Sequence, residues 1–191
     1  MFTKLCQCIL LLSLLYSLIS GSVSPVYAES WALLVGINDY RIITPDLRFC
    51  ESDVQRMKEA LTKYAGFKEE HIKTLLGQEA TKKGIKQAIN EWLIANVKPG
   101  DKALFYFSGH GVQIPDPTGQ EKDGKDELLC AYDSALHVYT FVRDNELGKW
   151  MDGIQNQADF GPCGIIASYS FHFGPFQLMP AGNIALTTAE P

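Results

Sequence analysis

An apolar segment, Ala103 to Phe107, runs directly into Ser108-Gly109-His110-Gly111. Such a continuous apolar run predicts a strand that is buried on both faces of a parallel sheet. Ligand crevices form at the carboxyl ends of such strands, and the glycines beside His110 let a substrate backbone approach the ring. His110 is therefore a candidate catalytic residue. The alternative is a histidine hydrogen-bonded within the core, and the flanking glycines and strand-end position argue against it.

Two further strand patterns precede this segment, and a helical pattern separates each strand from the next. The strands are predicted at Trp31 to Ile37 and Ile72 to Leu76. The first helix ends at Gly66, and the second is capped by Thr81 and ends before Pro99. This alternation predicts right-handed βαβ crossovers in a three-layer α/β fold. The helical patterns consist of Val54, Met57, Leu61 and Tyr64, and of Ile85, Ala88, Ile89, Trp92 and Leu93.

Beyond Gly111 the pattern becomes irregular. We expect a long loop, a short apolar run from Leu128 to Tyr132, and a last helix that Asp144 caps. From Ala158 onward glycine, proline and aromatic residues break the pattern, so no further strand of the correct polarity is expected. The domain prediction is a leader at 1–28, a catalytic-type domain at 29–157 and a divergent tail at 158–191.

The first 28 residues are typical of a secretory signal peptide. Lys4 opens a short basic start, Leu5 to Ser20 is almost wholly apolar, and Val26-Tyr27-Ala28 is a small-residue cleavage site. We therefore expect an exported chain, periplasmic or secreted, with no membrane contact after cleavage. The alternative is an uncleaved anchor, because the apolar run is only slightly shorter than the roughly 17 to 25 residues of a spanning helix.

Charge and cysteine content restrict the function classes. The formal net charge is −5, and loss of Lys4 with the leader makes it one unit more negative. Such a chain does not attract phosphate backbones, so nucleic acid is not an expected partner. Cys50, Cys130 and Cys163 remain after cleavage, and no cysteine or histidine spacing predicts a zinc site.

Four motifs, in this order, resemble the caspase-like cysteine peptidases, specifically the metacaspase and bacterial caspase-homologue branch. The resemblance extends from about Trp31 to Met151. It implies a three-layer caspase-like sandwich with a mostly parallel central sheet, whose C-terminal part is incomplete here. The motifs are Gly36-Ile37-Asn38-x-Tyr40, Leu47-x-x-Cys50-x-x-Asp53, Tyr106-Phe107-Ser108-Gly109-His110-Gly111, and Asp123-Gly124-x-Asp126-Glu127 followed by Asp133.

The resemblance implies peptide-bond hydrolysis by a Cys-His dyad, after Arg or Lys of a peptide or protein substrate. His110 would act as general base and acid, and the Gly111 N–H would donate to the oxyanion. Asp53 would bind the basic side chain, with Cys50 and Ser108 as neighbouring pocket walls. Without the resemblance, the preferred interpretation of Asp53 is an acidic residue near the N-terminus of a helix, where its charge opposes the helix dipole.

The same resemblance suggests calcium for the acidic segment. Asp123, Asp126 and Glu127 offer the hard oxygen ligands that Ca²⁺ prefers, but EF-hand spacing is absent from the sequence. A solvated acidic loop is the alternative. No other cofactor is expected.

The sequence departs from the family at the nucleophile. The Asp-x-Cys-His-Ser-Gly motif is absent, and Cys163 is the candidate by its position 53 residues after His110. The residues before Cys163 include Gly161 and Pro162, which disfavour a central strand, and the apolar run Gly164 to Ala167 follows it instead. Cys130 lies in an apolar run and reads as a small core residue. The change in composition after Gln157 suggests that the chain is a truncated or frame-altered product of a longer peptidase gene.

Three functions remain for testing. The first is an exported caspase-like cysteine endopeptidase with His110 and Cys163. The second is a catalytically inactive caspase-like module that binds peptides or a partner. The third, a flavodoxin-like domain for a phosphorylated ligand, ranks last because none of the strand-to-helix turns carries a phosphate-binding glycine loop.

Overall fold

The computed structural model describes residues 28–43, 45–116, 119, 124–135, 137–155, 164–170 and 185–188. The predicted leader up to Tyr27 lies outside the described residues, and so do Asp123 and Cys163. The strands are β1 (Ser30–Gly36), β2 (Ile72–Leu76), β3 (Lys102–Pro115), β4 (Lys125–Leu129), β5 (Val142–Arg143), β6 (Gly164–Ser170) and β7 (Ala185–Thr188). The helices are α1 (Cys50–Tyr64), α2 in three consecutive segments (Lys82–Gln87, the π-helical Ala88–Leu93, and Ile94–Asn96), and α3 (Asp144–Gln155).

The central sheet is parallel. Strand β1 lies between β2 and β3, β3 pairs on its other side with β6, and β6 pairs with β7. The distal half of β3 leaves this sheet and pairs antiparallel with β4, which pairs antiparallel with β5. Strand β3 therefore belongs to both sheets.

Helices cover both faces of the parallel sheet. Leu33, Val35, Phe105 and Phe107 pack with α2 and α3 on one face. The intervening residues of the same two strands, among them Leu34 and Tyr106, pack with α1 on the other face. The continuous apolar runs are thus explained by burial on both sides. The structure confirms the three-layer α/β fold that the alternation of elements predicts.

Two local predictions were wrong. The chain does not become a loop after Gly111, because residues 111–115 extend β3 and pair with 125–129. The region after Ala158 also contains strands, since β6 and β7 run parallel to β3. In both places the additional strand pairs with a free strand edge, so that its backbone N–H and C=O groups form hydrogen bonds. Local sequence patterns do not show such pairing with a distant strand.

The start of α2 follows its predicted chemistry. The Thr81 side chain accepts the Gly84 N–H at 3.0 Å and caps α2. Asp133, from the fourth motif, accepts the Lys82 N–H at 2.8 Å. Asp144, which was predicted to cap α3, is instead its first residue, and its carboxylate accepts the N–H of the adjacent Asn145 at 2.6 Å.

Within the described ranges, no helix is both long enough and apolar enough to cross a bilayer.

Gly36 is the point at which α1 approaches the sheet most closely. A β-carbon at this position would lie 2.8 Å from the Cys50 carbonyl oxygen and 2.8 Å from Val54 Cγ2. We expect Gly36→Ala to lower the free energy of unfolding by about 1–3 kcal/mol, because the helix backbone must shift. Urea unfolding of the chain without its leader measures this loss.

Gly153→Ala is the matched control. Its added methyl group meets only the side chain of Ile94, at 3.0 Å, and alanine favours the interior of α3. We expect this control to change stability by less than about 1 kcal/mol. Equal losses in the two variants would contradict the close-approach argument.

Candidate active site

His110 lies where β3 passes from the parallel sheet to the antiparallel sheet. Its side chain is buried, and its Nε2 atom lies 2.7 Å from the Pro45 carbonyl oxygen. A carbonyl oxygen only accepts hydrogen bonds, so Nε2 carries the proton and donates it. In the neutral ring the basic lone pair is then on Nδ1. The Pro45 carbonyl thus selects the tautomer and orients the imidazole.

Tyr40 holds the backbone of the same residue. Its hydroxyl oxygen accepts the His110 N–H at 2.6 Å, and the two ring centroids lie 5.1 Å apart. A β-carbon at Gly109 would lie 2.5 Å from this hydroxyl oxygen, so the contact requires glycine. Burial raises the pKa of the Tyr40 phenol, which stays neutral. Tyr40 of the first motif and Gly109 of the third motif therefore meet at His110.

The loop that carries Pro45 is fixed at its ends. The Leu47 N–H donates to the Asn38 carbonyl oxygen at 2.8 Å, and the Glu51 N–H donates to the Asn38 side chain at 3.4 Å. The Arg41 N–H donates to the Tyr132 carbonyl oxygen at 3.2 Å. These bonds hold the Pro45 carbonyl near His110.

Cys50, Ser108 and Asp53 lie together beside this loop. The Ser108 hydroxyl hydrogen-bonds the buried Cys50 thiol, and Asp53 is close enough to act on that thiol electrostatically. Ser108 and His110 are two residues apart on β3, positions that share one face of a strand. The structure therefore brings the predicted pocket residues to the same part of β3 as the histidine.

Asp53 is the exposed member of this group. Its side chain is 39% exposed and its Oδ1 atom lies 3.6 Å from Arg56 Nη1, one turn along α1. Arg56 is itself 76% exposed. An ion pair this open contributes little to stability, so the carboxylate can exchange Arg56 for another cation.

Gly111 presents its N–H away from β4. The Cys130 N–H donates to the His110 carbonyl oxygen at 2.9 Å, while Gly111 is the register partner of Leu129. In an antiparallel ladder this arrangement defines Gly111 and Leu129 as a pair that exchanges no backbone hydrogen bonds. The Gly111 N–H is directed to the opposite side of β3, on which β6 pairs with this strand as far as His110 and Ser170.

The two described cysteines are protonated at neutral pH. Burial raises the pKa of Cys130 to about 12. Burial also raises the pKa of Cys50, despite the hydrogen bond from Ser108, and the charge of Asp53 adds to this rise. Neither has the thiolate character of a nucleophile.

The sequence profile of the metacaspase, peptidase C14 domain matches residues 31–161, which contain all of these residues. The chain belongs to this family. Its similar relatives include Metacaspase-6 of Arabidopsis thaliana, 40% identical over 119 residues, which are 59% of this chain and 32% of that protein. Metacaspase-1 of Emericella nidulans is 34% identical over 143 residues, which are 69% of this chain and 34% of that protein. The chain spans about a third of the length of these relatives.

A crystal structure shares the fold of this metacaspase-family chain. Protein GSU0716 from Geobacter sulfurreducens superposes with a TM-score of 0.55 at 24% sequence identity, over 74% of this chain and 50% of that one. This likeness concerns the fold alone. The profile match confirms the caspase-like family that the four motifs predict.

Strand β6 determines what lies beside His110 in this metacaspase-family chain. Its first residue, Gly164, is the register partner of Leu104, and its last residue, Ser170, is the partner of His110. Six residues of strand span about 20 Å, so the amino end of β6 lies far from the histidine. Cys163, which precedes Gly164 in sequence, is outside the described residues.

The acidic segment is occupied by protein contacts. Asp126 is buried and forms an ion pair with Arg143 on β5. Glu127 accepts a hydrogen bond from Gln113 Nε2 at 2.8 Å. Among the described residues no group of three or more acidic, histidine or cysteine side chains could hold a metal ion.

Sequence reasoning missed Pro45 and the position of Ser170. A backbone carbonyl contributes through its place in the fold, so the identity of Pro45 carries no signal for this contact. Ser170 follows the apolar run that contains Ile165 and Ile166. Treating that run as a strand parallel to β3 would have placed Ser168, Tyr169 and Ser170 at its carboxyl end, level with the histidine.

The contact between Tyr40 and Gly109 predicts a coupled pair of variants. Tyr40→Phe leaves the buried His110 N–H without its acceptor and should cost about 1–3 kcal/mol of unfolding free energy. Gly109→Ala should cost about as much through overpacking. The double variant should lose less than the sum, by at least about 0.5 kcal/mol, because the nearest clashing atom is gone and, of the nearest atoms, only the Phe107 ring carbons at 2.9 Å remain. Urea unfolding of all four chains measures the coupling, and simple additivity would contradict it.

Burial of Cys130 predicts a loss of stability at alkaline pH. The unfolded chain releases this thiol proton from about pH 9, while the folded chain retains it up to about pH 12. A raised folded-state pKa stabilises the fold below the unfolded value and loses that contribution as the pH rises through the folded value. Cys130→Ala should therefore show a shallower fall in unfolding free energy between about pH 9 and 11. Parallel curves over this range would contradict the assignment.

Proposed function

We propose that this chain hydrolyses peptide bonds after Arg or Lys as a caspase-like cysteine endopeptidase, with His110 as its general base. The hydrogen bond between His110 Nε2 and the Pro45 carbonyl oxygen is the observation that carries the proposal. It leaves Nδ1 as the nitrogen that can accept a proton from a thiol. Membership of the metacaspase family supports the same chemistry.

The reaction follows from the groups at this position. His110 Nδ1 takes the thiol proton, and the sulfur attacks the scissile carbonyl carbon. Membership of the family assigns the Gly111 N–H as the donor to the resulting oxyanion. The imidazolium, held by the Pro45 carbonyl, then donates the proton to the leaving amine, and water hydrolyses the thioester in the second half of the cycle.

Asp53 supplies the proposed preference for basic residues. Its exposed carboxylate already pairs with one guanidinium, that of Arg56, and a substrate Arg can replace it with a bidentate contact. A substrate with an acidic side chain meets like-charge repulsion there. Ser108 and Cys50, which lie beside Asp53, would form the inner walls of this pocket.

Cys163 is the proposed nucleophile, since the buried Cys50 and Cys130 keep their protons. One observation supports a second function. The register between β3 and β6 puts Gly164 opposite Leu104, at the end of the sheet remote from His110. A chain with this register binds peptides at the His110 and Asp53 rim without cleaving them.

We further propose that the predicted signal peptide directs export of the enzyme, and that the enzyme acts on peptides or proteins. The negative net charge supports a partner other than nucleic acid. Calcium stays a prediction that concerns Asp123 in particular, because Asp126 and Glu127 have protein partners.

A peptide probe with a terminal Arg and a thiol-reactive group distinguishes the two functions. If the chain is a peptidase, labelling saturates with probe concentration and is abolished by Cys163→Ala and by His110→Ala. Asp53→Asn should slow labelling by roughly tenfold to a hundredfold through loss of a charge-assisted contact. Glu59→Gln, an exposed carboxylate on the same helix, is the matched control and should leave the rate unchanged.

The outcomes separate the hypotheses. No labelling, combined with saturable binding of a fluorescent Arg peptide that Asp53→Asn weakens, would establish the silent peptide-binding module. Labelling that survives Cys163→Ala would overturn the assignment of the nucleophile. Absence of both labelling and binding would refute the two functions together.

A further inference from the structure

Asp101 is a buried carboxylate at the amino end of β3, far along that strand from His110. It is only 4% exposed. Its Oδ2 atom accepts the Lys98 N–H at 3.0 Å, and its Oδ1 atom accepts the Glu29 N–H at 2.7 Å. Both partners are backbone amides, which carry no net charge.

A buried carboxylate normally has a cationic partner, because removing an ionised group from water is costly. Among the residues that the structure describes, no Lys, Arg or His side chain forms an ion pair with Asp101. Its sequence neighbours Lys98 and Lys102 are exposed. Within the described part of the chain, the negative charge of Asp101 therefore has no matching positive charge.

Glu29 is the first residue after the predicted cleavage site, and it is held firmly in place. Its carbonyl oxygen accepts the Lys102 N–H at 2.8 Å, and its Oε1 atom pairs with Lys68 Nζ at 2.6 Å. Ala28, which precedes it, is exposed. Cleavage between the two residues would leave the Glu29 nitrogen where it is, next to Asp101.

We propose that the ammonium group created at Glu29 by removal of the leader binds the buried Asp101 carboxylate and completes this site. In the cleavage, water adds across the Ala28–Glu29 peptide bond. Ala28 takes the oxygen and becomes a carboxylate, and the Glu29 nitrogen takes the protons and becomes an ammonium. A hydrogen bond between a carboxylate and an uncharged amide thereby becomes an ion pair between a carboxylate and an ammonium group. The inference rests on leader cleavage and is independent of the peptidase activity.

The site couples maturation to stability. Before cleavage the amide N–H offers Asp101 one donor without charge. After cleavage the same nitrogen offers a positive charge at hydrogen-bond distance from a carboxylate that is already desolvated. The exported form is thus the more stable form of the domain.

Two chains that differ by one residue test the proposal. One begins at Glu29 and the other at Ala28, each released from a fusion partner without extra residues and each running to Pro191. Both carry one terminal ammonium, but only the first places it at Asp101. The Glu29 chain should unfold at higher urea concentration at pH 7. This advantage should disappear at alkaline pH, because deprotonation removes the positive charge.

The reactivity of the terminal amine gives a second readout. An opposite charge at this distance reduces the fraction of free amine, so acylation of the Glu29 terminus at pH 7.5 should be at least about tenfold slower than that of the Ala28 terminus. Asp101→Asn should remove both the rate difference and the stability difference. If that variant does not fold, the comparison of the two unsubstituted chains still tests the proposal.

Equal unfolding midpoints together with equal acylation rates would overturn the proposal. A loss of stability from Asp101→Asn that is the same in both chains would also overturn it, since Asp101 would then act only on backbone amides. Secretion of the full chain followed by terminal sequencing checks the cleavage position. A terminus other than Glu29 would exclude the site.

Discussion

The change of partner along β3 is the constraint on which the site depends. The strand pairs in parallel with β1 and β6 up to Ser108 and His110, and from Gly111 onward it pairs antiparallel with β4. At such a junction a side chain can leave the packed sheet. The imidazole of His110 lies here because the pairing of β3 changes between His110 and Gly111.

The loop before α1 completes the candidate site at this junction. Tyr40 holds the backbone of His110 and Pro45 holds its ring, from positions about seventy residues earlier in the sequence. The same loop leads into α1, which carries Cys50 and Asp53. One short segment therefore orients the proposed base and places the proposed specificity residue. Gly36 and Gly109 keep the space that these approaches need.

Prediction from sequence succeeded where a pattern is local. The apolar runs predicted β1 and β2 to within one residue, because a strand buried on both faces needs consecutive apolar residues. Thr81 predicted the start of α2 through its cap. Prediction failed for the extension of β3 and for β6, where strand formation depends on distant partners. In a local sequence pattern Pro115 favours a loop. An antiparallel pair of strands nevertheless tolerates proline at the end of a strand.

Sequence alone establishes the α/β class, the family motifs and the residue types at the candidate site, because periodicity and motif order are properties of the chain itself. The tertiary structure decides which atoms meet. The tautomer of His110, the protonated state of Cys130 and the position of Ser170 level with the histidine all depend on groups far apart in sequence. Hydrogen bonds, burial and strand register depend on residues that are distant in sequence, so the residue identities alone do not determine them.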